Sequence, residues 1–388
     1  MGRFVQRAGF VLGFAVAAVW GEQQQCPAGT AAGSCEDLVA PPVIDISALM
    51  NSDDHSTAEW DTAAEAVTRA CEEWGFFQAV NHGVPEELLE RFASKGRELF
   101  ALPTAEKAKF KRTAKNARGW HDDELTKQIR DWKEGFDIGN VPNPDMPPDH
   151  PSNVGMEGYN QWPGEIVPSF KETVDAFYSS AADVAQHLLE GVASHLGLPR
   201  RHFAPSFEPH TSFLRMNYYP PCPEPSTLSV NRHTDAGALT VLLQEDGITA
   251  LQVNHQGSGR WVSVPPVDGA LTINVGDMLQ VWSNDLFVAP EHRVLSQVDR
   301  DRFAAPFFYN PAYHADVAPI PPQTIERAAP AAAGAQAATW GNLTGQGKGR
   351  YRPVNWGEFR LKRLAGDIAD QGTEDVQISH YLLEQQNQ

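Results

Sequence analysis

The chain has 388 residues, 41% hydrophobic and 21% charged, ordinary proportions for a globular protein that can bury a sizeable core. A formal net charge of −18 with no clustered Lys/Arg face argues against nucleic acid or an anionic lipid surface as partner. Four cysteines (Cys26, Cys35, Cys71 and Cys222) are too few and scattered for a disulfide scaffold and form no Cys-x-x-Cys zinc pair.

Arg3 and Arg7 precede an uncharged run over residues 8–20 that is too short to span a bilayer comfortably. Residues 1–21 read first as a secretory signal, which places the protein in the secretory pathway or outside the cell and leaves no membrane span once removed. A mitochondrial or plastid presequence and an uncleaved anchor are the alternatives for this segment, with an organelle or the cytoplasm as the alternative location. The Asn342-Leu343-Thr344 sequon agrees with secretion. Residues 22–40 read as an irregular linker in which Cys26 and Cys35 could pair if the compartment is oxidising.

From residue 41 the chain reads as one domain with no long polar linker. A short strand over 43–46 follows Pro41-Pro42. Trp60, Ala63, Val67, Ala70, Cys71 and Trp74 keep helical spacing up to Gly75. Residues 75–85 read as a strand entering a turn, which His82 braces, and 85–100 as a second helix. The Pro-, Gly- and Asn-rich stretch 140–168 reads as loop and 165–196 as one long supporting helix, so 41–205 forms a mainly helical N-terminal part. After Pro205 come short β-like runs at 213–219, 238–243, 250–253, 261–264, 271–275, 278–282 and 302–309, the mark of an antiparallel sandwich or barrel over 206–312. Residues 313–388 hold an irregular section, an Ala-rich tract at 328–338 and a final helix over about 356–369.

The chemistry centres on His233-Thr234-Asp235 and on His292, several strands later. Two imidazoles and one carboxylate on one face of a metal leave three coordination positions open, as iron(II) needs in order to bind a co-substrate and O2. In an extended backbone residues i and i+2 point the same way, so His233 and Asp235 can reach one ion. His-x-Asp recurs at His121-Asp122-Asp123, in a charged stretch read as helical and solvated, and at His314-Ala315-Asp316, read as a surface loop. Only His233 is followed by β-structure, a second His and then an Arg. That residue, Arg302, shares a strand face with Ala304, and a buried guanidinium needs an anion to meet it. Phe213, Arg215, Asn217 and Tyr219 share one face of another strand and suggest a polar pocket wall. Trp282, Phe307 and Tyr309 read as core rather than pocket lining.

Together these motifs resemble the isopenicillin N synthase-like branch of the iron(II)/2-oxoglutarate-dependent dioxygenases. The resemblance spans nearly the whole chain: Pro42-Val43-Ile44-Asp45, Gly75-Phe76-Phe77, Asn81-His82-Gly83, Asn217-Tyr218-Tyr219-Pro220, His233-Thr234-Asp235, His292-Arg293-Val294 and Arg302-Phe303-Ala304. It implies an α+β fold, with a double-stranded β-helix (jelly-roll) core between N-terminal and C-terminal helices. It further implies Fe(II) on His233, Asp235 and His292, and 2-oxoglutarate gripped by Arg302 with Tyr219 and Asn217. The expected enzyme is a monomer that uses O2, with ascorbate as accessory reductant, to hydroxylate, desaturate or ring-close a small organic substrate, releasing succinate and CO2. One departure stands out: Ala304 replaces the family's Ser, and a hydrogen bond to a charged group is worth about 1.5 to 3 kcal/mol. The rival readings are an iron oxidase of the same fold that ignores 2-oxoglutarate, a catalytically silent jelly-roll binding protein, and a zinc hydrolase.

Overall fold

The computed structural model describes residues 40–51, 57–113, 116–140, 158–224, 227–321, 349–368 and 376–383. The leader, Cys26 and Cys35, the Ala-rich tract and the Asn342 sequon lie outside these residues. Among the described residues no helix is long and apolar enough to cross a membrane, and Cys71 and Cys222 are buried free thiols.

The N-terminal part contributes strands β1 (Val43–Asp45), β2 (Phe76–Val80), β3 (Gly119–His121), β4 (Leu125–Thr126), β5 (Ile129–Arg130) and β6 (Glu134–Gly139). Its helices are α1 (Ser47–Asn51), α2 (Ala58–Glu73), α3 (Glu86–Phe100), α4 (Thr104–Lys107) and α5 (Phe170–His195). There follow β7 (Phe213–Tyr219), β8 (Leu228–His233), β9 (Leu239–Gln244), β10 (Leu251–His255), β11 (Arg260–Ser263), β12 (Leu271–Val275), α6 (Asp277–Trp282), β13 (His292–Leu295) and β14 (Arg302–Tyr309). The short pair β15 (Asp316–Val317) and β16 (Val354–Asn355) leads into α7 (Trp356–Ile368).

An eight-stranded sheet in the order β1-β2-β12-β9-β14-β7-β6-β3 is joined by a four-stranded sheet, β11-β10-β13-β8. Period-two alternation separates the two faces of the large sheet. Phe77, Leu214, Met216, Val241, Ile273, Phe303 and Phe307 pack outward against α2, α3 and α5. There Phe92 of α3 stacks on Phe177 of α5 with centroids 4.1 Å apart. Phe76, Tyr219, Leu242 and Ala304 point the other way, toward Val230, Leu251, Val253 and Val294 of the small sheet. This jelly-roll is the predicted fold. Strands from residues 43–80 and 119–139 extend its large sheet at both edges.

Gly75 shows how the first helix is tied to the core. Both it and Trp74 donate to the Ala70 carbonyl, ending α2, and Gly75 has φ +63°, a left-handed conformation that favours glycine. Its carbonyl accepts from Val275, and a Cβ here would lie 2.7 Å from Pro290 Cδ and 2.8 Å from the Val288 carbonyl oxygen.

Two local expectations are corrected. Residues 278–282 form helix α6 rather than a strand: Met278, Leu279, Val281 and Trp282 are all buried, and an apolar run this short carries no decisive period. His121 is neither helical nor solvated. It lies on β3 at 1% exposure, with its ring over Gly135, where an added Cβ would meet it at 2.4 Å. Asp123 is exposed and Asp122 half-exposed, whereas Arg112, Glu124, Asp137 and Arg215 around the ring belong to a buried network that supplies its own counter-charges. His314 is exposed, as expected.

Gly75→Ala is expected to destabilise the fold by about 2 to 5 kcal/mol, combining left-handed backbone strain of about 1 to 2 kcal/mol with overpacking of about 1 to 3 kcal/mol. A thermal or urea unfolding midpoint unchanged from the native protein would refute this.

Candidate metal and co-substrate site

His233 closes β8, Asp235 stands two residues further on, and His292 opens β13, where it pairs in register with His233. Their ligand atoms all lie within 4.8 Å of one another. Asp235 Oδ1 is 3.7 Å from His233 Nε2 and 3.6 Å from His292 Nε2. The outer atoms of all three side chains are fixed by neighbours. His233 Nδ1 donates to the Asn231 carbonyl at 2.8 Å and His292 Nδ1 to the Pro290 carbonyl at 3.2 Å, which leaves both Nε2 lone pairs facing inward. Asp235 Oδ2 accepts from the Thr240 hydroxyl at 2.6 Å and from Asn274 Nδ2 at 2.8 Å, which reserves Oδ1 for the same point.

Electrostatics favour the metal-binding protonation states. Burial, reinforced by His292 alongside, pushes the His233 pKa down to about 3, so the ring is neutral at physiological pH. Burial alone would raise the Asp235 carboxyl; the two imidazoles and the Thr240 and Asn274 hydrogen bonds outweigh it and hold the group below its ordinary value.

The backbone around the triad is equally tied. The first N–H groups of α6 donate to the Asp235 and Gly237 carbonyls at 2.8 and 2.9 Å. From α7, Arg363 Nη2 donates at 2.9 Å to the carbonyl of Thr234, the residue between two of the three side chains.

Deeper in the cavity Arg302 is 2% exposed. Its Nη2 donates to Gln244 Oε1 at 3.1 Å, its guanidinium lies 5.1 Å from the centre of the Tyr219 ring, and its Nε and Nη1 have no hydrogen-bond partner among the described residues. Asn217, on the same face as Tyr219, leaves its Oδ1 unpartnered among those residues. Phe213, Arg215, Asn217 and Tyr219 all line the cavity, as do Arg302 and Ala304, whereas Trp282, Phe307 and Tyr309 pack in the outer core. Two buried donors on a guanidinium and a nearby phenol are what a carboxylate would satisfy, and a donor set of two neutral imidazole nitrogens and one carboxylate oxygen suits Fe(II). The residues therefore fit both groups.

Sequence reasoning missed the supporting shell: Thr240, Asn274, Gln244 and Arg363. It also missed a buried charge network in the cavity wall. Arg215 makes two bonds to Asp137 at 2.7 and 2.8 Å and lies 2.6 Å from Glu124, which Lys133 approaches at 2.7 Å. Burial opposes ionisation of Asp137 and Glu124, but Arg215 and the other cations hold both carboxyls well below the usual range. The available signal was the strand alternation of β6 and β7, which places Asp137 opposite Arg215.

Comparison with known proteins decides the family. Residues 210–311 match the 2OG-Fe(II) oxygenase superfamily, and residues 41–165 match the N-terminal region described as non-haem dioxygenase in morphine synthesis. Feruloyl CoA ortho-hydroxylase 1 of Arabidopsis thaliana is 36% identical over 290 residues, 73% of each chain. The chain belongs to the 2OG-Fe(II) oxygenase superfamily. Homoarginine-6-hydroxylase of Glycine max is 34% identical over 73% of this oxygenase and 89% of its own length. Flavonoid 7-O-demethylase 1 of Ocimum basilicum is 32% identical over 73% and 72%. Among solved structures, a full-length Neurospora crassa protein in complex with alpha-KG has a TM-score of 0.68 at 24% identity, covering 85% of this chain and 98% of that one. JOX2 in complex with 2OG, Fe and JA also has a TM-score of 0.68 at 24% identity, covering 89% and 90%. This oxygenase is thus an oxidoreductase that uses Fe(II) and 2-oxoglutarate.

His292→Ala should reduce the iron content of anaerobically reconstituted protein to near zero by metal analysis. Gln244→Leu should leave iron loading intact and weaken 2-oxoglutarate binding about ten-fold by calorimetry, through loss of the bond that aims Arg302. Normal iron in the first variant or normal co-substrate affinity in the second would contradict these assignments.

Proposed function

We propose that His233, Asp235 and His292 hold Fe(II), that Arg302 with Tyr219 and Asn217 binds the distal carboxylate of 2-oxoglutarate, and that the enzyme oxidises a C–H bond of a small organic substrate. The observation carrying this reading is the pairing of an inward-facing N, O, N donor set with a buried Arg302 whose Nε and Nη1 have no acceptor among the described residues. When bound, iron and 2-oxoglutarate together supply O2 activation, with succinate and CO2 released.

The chain contributes geometry and solvent exclusion. Asn231 and Pro290 carbonyls fix the two imidazole tautomers, and Thr240 and Asn274 fix the carboxylate, so the donor atoms are in place before any ion arrives. Arg302 supplies a planar fork suited to a carboxylate. Ala304 offers no hydroxyl, yet it is flanked across the sheet by Asn217 on β7 and Gln244 on β9. One of these amides faces the co-substrate end and the other aims Arg302, which supports retention of 2-oxoglutarate despite the missing Ser. Phe76, fully buried, meets the His292 ring edge-on at 5.5 Å and excludes water from that side.

Hydroxylation is the outcome favoured by the names of the relatives, two of which are hydroxylases; desaturation and ring closure need the same first hydrogen removal. The ordered motifs support placement in the isopenicillin N synthase-like branch. The charged, uncharged and polar order of residues 1–25 supports a secretory leader, which N-terminal sequencing of the mature protein tests, and we read the enzyme as a monomer.

Anaerobic protein titrated with Fe(II) and then 2-oxoglutarate should develop a visible charge-transfer band and, on admission of O2, form succinate. Arg302→Gln should raise the 2-oxoglutarate requirement by at least about ten-fold. Folded, iron-loaded protein that shows neither band nor succinate would overturn the proposal.

A further inference from the structure

The cavity has two ends, set by strand register. Along β7 and β14, Arg302 lies opposite Tyr219, Ala304 opposite Asn217 and Phe308 opposite Phe213. β9 gives the level of the triad: Thr240, which holds Asp235, is the cross-strand partner of Phe308. From Arg302 to Phe308 the wall runs roughly 20 Å at the rise of an antiparallel strand. On the reading above, 2-oxoglutarate takes the Arg302 end, and the substrate is left with the Phe213 end.

That second end is rich in guanidinium. Arg118, Arg215 and Arg360 lie 5.4, 5.6 and 5.6 Å from the centre of the Phe213 ring, which itself stacks on Phe308 at 4.6 Å. Once Asp235 and Arg302 are set aside, the charged residues lining the cavity are Lys127, Lys133, Arg215, Arg360 and Arg363 against Glu124 and Asp367. In a chain of net charge −18 that is a local reversal of sign. Most of these cations are matched from behind. Lys127 reaches Glu291 at 3.0 Å, Lys133 reaches Glu124 and Asp131, and Arg215 reaches Asp137 and Glu124. Arg363 spends its donors on the Thr234 and Val376 carbonyls and Gln377.

Arg360 differs. It is buried to 9% exposure, and among the described residues its one hydrogen bond runs from Nη1 to Asp367 Oδ2 at 3.2 Å. Asp367 is the more exposed of the two, at 26% against 10% for the side chains, so its charge is partly screened by water. Arg215 and Arg363 crowd Arg360 with like charge. A buried guanidinium so placed, with its Nε–Nη2 edge uncommitted among the described residues, is the bidentate face that a carboxylate fits.

We propose that the primary substrate is a small organic acid, its carboxylate bound by Arg360 and its carbon skeleton lying against Phe213 and Phe308. This rests on the placement of iron and 2-oxoglutarate proposed above. An acid held at this end places its carbon skeleton level with the triad, which Thr240 and Phe308 mark in the strand register.

The test uses the full chain loaded with zinc(II) and saturating 2-oxoglutarate, so that no turnover occurs. Binding of phenylacetate and cyclohexanecarboxylate is compared with that of their primary amides by ligand-detected NMR. Each acid should bind at least about ten-fold more tightly than its amide. Arg360→Gln should abolish that preference and Arg360→Lys should keep part of it, while the surface control Lys109→Gln leaves it unchanged; thermal unfolding establishes that each variant is folded. Equal binding of acids and amides, no detectable acid binding, or an acid preference intact in Arg360→Gln would overturn the proposal. Failure of the iron and 2-oxoglutarate placement is read separately, as loss of the charge-transfer band in the iron-loaded native protein.

Discussion

The structure is organised around one buried carboxylate that has to stay ionised. Asp235 is 6% exposed, and a charge so placed is tolerated only when every lone pair has a partner. Its two oxygens divide that requirement. Oδ2 is satisfied by Thr240 from β9 and Asn274 from β12, both on the large sheet, while Oδ1 faces imidazoles carried by β8 and β13 of the small one. The carboxylate is therefore anchored to the large sheet and aimed at two nitrogens of the small one, where a metal ion would join them. Fold and function share this point: the strands must meet here for the three donors to converge, and the counter-charge that neutral imidazoles do not give Asp235 is what a bound cation would supply.

The same logic runs through the cavity wall at larger scale. Arg215, Glu124, Asp137 and Lys133 are nearly or fully enclosed and neutralise one another across β6, β7 and the segment containing β4 and β5. Such a network contributes little net stability compared with an apolar packing of equal volume, because desolvation offsets most of the attraction. Its physical effect is to keep a polar, rigid surface beside the triad, where apolar residues would give an oily one.

What the sequence made legible follows from how regular each signal was. β7 and β14 alternate with strict period two, so the faces carrying Arg215, Asn217 and Tyr219, and Arg302 with Ala304, could be assigned from the residue order alone. The triad was legible because His233, Asp235 and His292 sit in a series of β-like runs ending at Arg302. Residues 119–139 were opaque: their charges look like a solvated surface, and only three-dimensional pairing shows that Glu124, Asp131, Lys133 and Asp137 meet their counter-charges inside. β8 was missed because Leu228-Ser-Val-Asn-Arg-His carries too few apolar residues to announce a strand. Gln244 and Asn274 gave no sign, since a lone amide on a strand is chemically anonymous until its partner is known.

The strap from Arg363 to the Thr234 carbonyl ties the last long helix to a turn some 130 residues earlier. During synthesis, a nascent chain that has emerged as far as β14 already possesses all three donor side chains and the α6 bonds to the turn beside them, whereas the Arg363 strap is added only when α7 leaves the ribosome. A chain cut short before residue 363 would thus carry all three donors and lack this strap on the backbone between two of them.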